Sequence, residues 1–390
     1  MESLTKELVK RETFSEEARL ELEAIERKLD LLRSDPEFVV SWHNEPYVCD
    51  LVLSGGGAKG VADIGALWAF DRLGIRFKRL AGTSAGAIMA AIVASGLTIS
   101  EISSHLMKAD FMTLKDGAWD QYLPMVANFA RIAAVPKSFG LYDGTGIQSW
   151  LHRLLASNNA ETFGKLPKRA MGMLAELNEE DGSRLQIMAS DLTHTCELMM
   201  PRDLSLERYG SLDPEGFLVS TAVRMSVSLP FFFKPFKLGD SLIVDGAFAS
   251  NLPLETFDRE DTDNVRWPTF GINLVSDPTP PNPATNLYNF GLALFETMRH
   301  GYSKMSFLQY PTRICRLIDI PTSQVRTLDF DISPAKRERL FLNGANSVLK
   351  TMRGNDGAGI RTTWNFERYL KLRQRWSFDP IGPIGRDLRR

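Results

Sequence analysis

Ser84 and Asp245 are the side chains around which chemistry can be built, and a run of glycines lies upstream of both. Ser84 sits in Gly82-Thr83-Ser84-Ala85-Gly86, where Gly82 and Gly86 permit a sharp strand-to-helix turn that lifts a serine hydroxyl above a sheet. Asp245 closes the apolar run Leu242-Ile243-Val244 and is followed by Gly246, so its carboxylate can be held rigidly where a strand stops. Further upstream, Gly55-Gly56-Gly57-Ala58-Lys59-Gly60 leads from a strand-like run into a helix. Amides at such a junction carry little side-chain bulk and face any anion placed before the helix.

That glycine loop admits three readings. A phosphate-gripping loop needs Ser or Thr after Gly-Lys, and Gly60 is followed by Val61, which excludes it. A dinucleotide fingerprint matches as Gly55-x-Gly57-x-x-Gly60, but the next strand ends in Leu80-Ala81-Gly82 without the acidic residue that would hold a ribose. An oxyanion hole, formed by the amides of Gly55, Gly56, Gly57 and Ala58, accounts for the serine turn that follows. A serine acyl hydrolase is thus the leading reading, with a nucleotide-binding protein as the alternative.

Asp-Gly-Ala occurs at Asp116, Asp245 and Asp356, and only Asp245 ends an apolar strand. The histidines are His43, His105, His152, His194 and His300, none in a recognisable active-site turn. His194, just past Asp191, is the nearest to a candidate, and its place at a polar hairpin corner suits a solvated side chain. No calcium loop, His-Glu-x-x-His or paired cysteine ligands are found, so no metal or other cofactor is expected.

The elements that must position these groups follow from periodicity. Residues 47–54, 76–81, 185–192, 196–200, 267–275 and 312–320 read as strands. Residues 59–73, 85–94, 99–109, 143–155, 286–305 and 333–349 read as helices, as does a small-residue stretch beginning at 217, and Ser333 and Pro334 stand at cap and first position of the last. The pair 185–192 and 196–200 reads as a hairpin. Between 110 and 140 the pattern loosens around aromatic residues, which suits core packing, a lid or the walls of an acyl pocket. Residues 14–33 form a helix with Thr13 and Glu16 at capping-box spacing. Its stripe of Ala18, Leu22, Ile25, Leu29 and Leu32 lies against its own domain or forms a dimer seam.

The chain has 390 residues and a formal charge of −2, so nothing global recommends a nucleic acid partner. Cys49, Cys196 and Cys315 are too widely spaced for a zinc site and read as free thiols in a reducing compartment. The N-terminus has no secretory pattern and no apolar run is long enough to cross a bilayer, which points to the cytoplasm. Residues 361–390 mix basic and aromatic side chains, suited either to a docked terminal helix or to peripheral contact with an anionic membrane.

The sequence resembles the patatin-like phospholipase family, through Gly-Gly-Gly-x-Lys-Gly at 55–60, Gly-x-Ser-x-Gly at 82–86 and Asp-Gly-Ala at 245–247, in that order. Weaker echoes are Ala189-Ser190-Asp191-Leu192, Ser226-Val227-Ser228-Leu229-Pro230 and Asp331-Ile332-Ser333-Pro334. The resemblance implies a three-layer α/β/α fold with a central, mostly parallel sheet. It implies a lipid acyl hydrolase in which Ser84 is nucleophile, Asp245 base and the 55–58 amides the oxyanion hole, with a phospholipid or other fatty acyl ester as substrate. Lys59 stands where the family commonly has Arg or Lys. The expected organisation is an N-terminal helical extension (1–46), a catalytic domain (47–350) and a basic, aromatic C-terminal extension (351–390). A homo-oligomer, and an activating ligand or protein of the kind some bacterial relatives use, stay open.

Overall fold

A computed structural model of the chain describes residues 14–42, 47–107, 139–167, 183–258, 267–276, 290–291, 293–298, 301, 316–323, 325–354 and 364–377. The readings at Asp116, Asp356, His43, His300 and Cys315, and most of those for 110–140 and 361–390, lie outside these residues.

The first motif is built as its pattern requires. β1 (Val48–Leu53) is buried along nearly its whole length, as a strand covered on both faces must be. Its Asp50 is 1% exposed and is met by Arg79 through the backbone N–H, Nε and Nη2, the last at 2.5 Å. A single turn of 3-10 helix (Gly57–Gly60) then leads into α3 (Val61–Arg72), which follows α1 (Glu16–Arg33) and α2 (Pro36–Ser41) in chain order. β2 (Arg76–Thr83) runs straight into α4 (Ala85–Ala94), whose small apolar residues are almost all buried.

The chain continues through α5 (Ile99–Leu106), β3 (Gly140–Tyr142), α6 (Thr145–Ala156), β4 (Leu185–Asp191), β5 (Cys196–Met200) and α7 (Val219–Ser226). Then come β6 (Phe231–Phe233), β7 (Phe236–Leu238), β8 (Ser241–Asp245), β9 (Thr269–Val275), β10 (Leu317–Pro321), α8 (Pro334–Arg353) and α9 (Phe366–Ser377). Eight strands form one sheet in the order β10-β9-β1-β2-β4-β8-β7, with β5 also on β4; β3 and β6 pair separately. From β10 to β4 the pairings are parallel, and those of β5, β7 and β8 are antiparallel. The result is a mixed, mostly parallel sheet flanked by helices.

Several boundaries differ from the sequence reading for local reasons. α1 is capped by Ser15, not Thr13: the Ser15 hydroxyl accepts from Ala18 N–H and donates to Glu338 Oε2 at 2.7 Å. Its stripe is buried against the chain's own core, as the first of the two alternatives holds. Ser333 does precede α8 with Pro334 at the first position, but its hydroxyl makes no cap bond. The short β3, β6 and β7 carry too few residues for any period to show.

Candidate active site

Register brings the two predicted side chains together. Leu185 to Met188 of β4 pair with Leu80 to Thr83 of β2, and Ala189 to Asp191 pair with Asp245 to Ile243 of β8. β5 pairs with residues Ile187 to Asp191 throughout, so β2 and β8 must share the opposite edge of β4. One is parallel to β4 and the other antiparallel, so their C-terminal ends meet head to head. Thr83 faces Met188 while Asp245 faces the next residue, Ala189. Ser84 therefore emerges beside Asp245 although 161 positions separate them. The Gly246 backbone confirms the closeness, since a Cβ there would lie 3.0 Å from Thr83 Cγ2.

Ser84 is held with φ 54° and ψ −120°, a conformation that strains any residue with a side chain. The strain persists because the neighbours leave no alternative. A Cβ on Gly82 would overlap the Gly86 carbonyl, and one on Gly86 would overlap the Leu53 carbonyl, so the turn is packed backbone on backbone. Ser226 locks it from below: its hydroxyl accepts from Ser84 N–H at 2.9 Å and donates to the Met188 carbonyl at 2.5 Å. Ser226 thus ties the turn to the strand that pairs with both β2 and β8.

Asp245 is 1% exposed, and its Oδ1 accepts from Ala247 N–H at 2.9 Å. Its backbone is fixed at both ends, N–H to the Ser228 carbonyl and carbonyl from the Ser190 hydroxyl at 2.9 Å. Ser190 Oγ also accepts from Ala249 N–H. Ser190, Ser226 and Ser228 fall within the weaker echoes noted in the sequence, where their type was visible but their task was not. A short polar residue inside an apolar run was the available signal.

Across the cleft, the loop amides divide into two sets. Gly55 N–H donates to the Asn251 carbonyl at 3.2 Å and Ala58 N–H to the Thr327 carbonyl at 2.9 Å. Gly56 and Gly57 N–H have no acceptor among the described residues. Gly57 has φ 57°, and a Cβ there would collide with Thr327 O, so only glycine fits. Lys59 is 3% exposed and donates from Nζ to Ser276 Oγ at 2.5 Å. It is a buried anchor of the loop, not a solvated lysine on a helix surface.

Ser84, Asp245 and the loop from Gly55 to Ala58 all line one cavity with an empty volume of about 1080 Å³, part of it open to solvent. Its remaining walls are mostly apolar, with Ile88, Trp150, Leu229, Phe232, Phe295 and Phe330 prominent. Asn251 joins the lining, and its buried Oδ1 has no hydrogen-bond partner. None of His105, His152 and His194 lines this cavity. His194 instead bonds through Nδ1 to Asp191 Oδ2 at 2.8 Å and meets Ser241 Oγ at 3.1 Å, fixing the β4–β5 corner. A strained hydroxyl, a buried carboxylate, two open amides and an apolar chamber can together support attack on an ester with a hydrocarbon chain.

The chain is similar to several known proteins. The model of the Patatin-like phospholipase family matches residues 51–258. YqhO, an uncharacterized protein of Bacillus subtilis, is 36% identical over 299 residues, covering 75% of this chain and 94% of its own. The neuropathy target esterase sws of Drosophila persimilis is 28% identical over 209 residues, 52% of this chain and 11% of its length. Among solved structures, VipD from Legionella pneumophila aligns with a TM-score of 0.45 at 19% identity, covering 78% of this chain and 67% of VipD.

Proposed function

The chain belongs to the patatin-like phospholipase family, and from that premise we propose that Ser84 and Asp245 form a two-residue catalytic unit that hydrolyses fatty acyl esters of phospholipids or lysophospholipids. It is a serine ester hydrolase, and the finer assignment concerns which groups act and on what. Ser84 Oγ attacks the ester carbonyl carbon while its proton passes to the Asp245 carboxylate. The carbonyl oxygen gains the negative charge and is met by Gly56 and Gly57 N–H. Collapse expels the alcohol, which takes the proton, and leaves an acyl group on Ser84. Water then enters by the same route in reverse, and the fatty acid departs.

An aspartate alone is a weak base toward a serine hydroxyl. At 1% exposure, Asp245 sits where bulk water screens it little and a neighbouring charge or dipole counts for more. The apolar walls favour an acyl chain over a peptide or a soluble polar ester. What carries the reading is the head-to-head meeting of β2 and β8 on one edge of β4.

The test is lipid mass spectrometry of phospholipid vesicles exposed to wild type, Ser84→Ala and Asp245→Asn. Each variant is expected to lose activity by on the order of 10³-fold or more, with folding intact. His194→Ala should keep most of it. An active Asp245→Asn enzyme would remove the two-residue unit, and an equally inactive His194→Ala would replace it by a triad. A fluorophosphonate ester should label Ser84; an unlabelled serine in a folded protein would return the loop to its nucleotide-binding alternative.

A further inference from the structure

A second cavity lies at the other end of the sheet, with an empty volume of about 1190 Å³ that includes open solvent. Arg76 opens β2 at this end and Ser84 follows its far end, about 25 Å away at strand rise. Among the described residues, four arginines line it, Arg33, Arg72, Arg76 and Arg184, against one acid, Asp71. Their charges are not equally spoken for. Arg72 pairs with Asp30 at 2.5 Å and Glu26 at 3.2 Å, and Arg76 pairs with Asp71 at 2.7 Å. Arg33 and Arg184 have no carboxylate partner among the described residues.

Arg184 is the unusual one. It is 6% exposed, and its Nε and Nη1 reach only backbone carbonyls, those of Ala94, Phe77 and Lys78. Its Nη2 makes no hydrogen bond to the described residues, and Arg184 is part of the cavity wall. Burial without a counter-charge lowers its pKa to about 10, which still leaves it cationic at neutral pH. Capping the Ala94 carbonyl at the end of α4 accounts for Nε but leaves Nη2 uncommitted among the described residues. Around these cations the wall is hydrocarbon, from Trp68, Ile75, Phe77, Val93 and Leu97. A buried guanidinium with one uncommitted nitrogen in the wall of a largely apolar chamber matches an anionic head carrying an apolar body.

We propose that this cavity is a binding site for an anionic amphiphile, a carboxylate or phosphate held by Arg184 and Arg33 with its chain against Trp68 and Phe77. The site is separate from the Ser84 cavity and does not rest on the catalytic reading. Calorimetric titration of the full chain carrying Ser84→Ala with dodecyl phosphate, laurate, dodecanol and inorganic phosphate tests it. The anionic amphiphiles should show a class of site that dodecanol and inorganic phosphate lack. Arg184→Gln should weaken that class by about tenfold or more, in line with loss of a charge-assisted hydrogen bond. Arg33→Gln, at a residue less deeply buried than Arg184, should weaken it with the melting temperature unchanged, which covers the case in which Arg184→Gln fails to fold. Tighter laurate would assign the site to free fatty acid, and tighter dodecyl phosphate to a phosphorylated lipid. Dodecanol or inorganic phosphate binding as well as the amphiphilic anions, or unaltered binding in the Arg33 variant, would overturn the proposal.

Discussion

At the scale of single residues, the site stores strain and unpaired polarity where hydrolysis would use them. Ser84 has a positive φ and Asn251 Oδ1 is unsatisfied beside the cleft. Not every such residue reacts, and Asp63 is the clearest case. It is fully buried in the first turn of α3, and neither carboxylate oxygen has a partner. Burial alone pushes its pKa well above the ordinary carboxylate range. The sign follows from linkage: above the unfolded pKa the folded state holds a proton that the unfolded state has released, so raising the pH favours unfolding. Between the unfolded and folded pKa values the penalty is about 1.4 kcal/mol per pH unit for one group. Wild type should therefore lose stability with rising pH relative to Asp63→Asn, measured by urea unfolding at a series of pH values. Parallel profiles for the two proteins would show that Asp63 is charged or solvated after all.

Elements explain why the glycine loop stays where it is. α3 follows the loop directly, and α8 crosses it at a point where a Cβ on Gly65 would overlap the Phe341 carbonyl and one on Gly344 would overlap the Ala62 carbonyl. Backbones this close cannot admit a methyl group without moving apart. Gly65→Ala should cost about 1–3 kcal/mol or more, visible as a lower denaturation midpoint, and should reduce activity by shifting the loop amides. Gly344→Ala should do the same, and the double variant should cost less than the sum, because both methyls open one crossing. Additive costs would mean that the two contacts yield independently. This crossing was not legible in the sequence, where both glycines sit inside helical patterns and nothing local marks a close approach. The local pieces were legible: α4 matches its expected residues, β5 likewise, and the turn at Ser84 follows from its flanking glycines. What the sequence withheld was register. Nothing in the run around Leu242 shows that β8 enters antiparallel on the edge that β2 leaves free, and nothing local shows which amides of the 55–58 loop will be consumed by Asn251 and Thr327.

At the scale of the whole molecule, the core is closed by described segments from early and late in the chain. Leu22, Ile25 and Leu29 of α1 and Trp364, Phe366 and Tyr369 near the C-terminus belong to the same buried cluster as the sheet. Trp364 lies 4.6 Å from Trp42 and 5.1 Å from Phe270 of β9, ring centre to ring centre, and β9 pairs with β1, which feeds the glycine loop. The aromatic residues 364, 366 and 369 are thus packing groups, whatever the basic residues beyond them do at a membrane. Among the described residues no helix is long and apolar enough to cross one. Removing everything after Gly359 should consequently harm folding first. Loss of a single buried aromatic side chain costs about 3–5 kcal/mol, and a typical domain has only about 5–15 kcal/mol in total. The truncated chain is expected to fall out of solution or melt far below wild type. Trp364→Ala is the gentler version, expected to remain folded with a lowered melting temperature. In that variant, activity on a soluble short-chain ester and on anionic vesicles should fall by the same factor, because the damage reaches Ser84 through β9 and β1 before any membrane is involved. If vesicle hydrolysis collapses while the soluble ester is turned over at the wild-type rate, the C-terminal aromatics serve the lipid surface and the packing account fails.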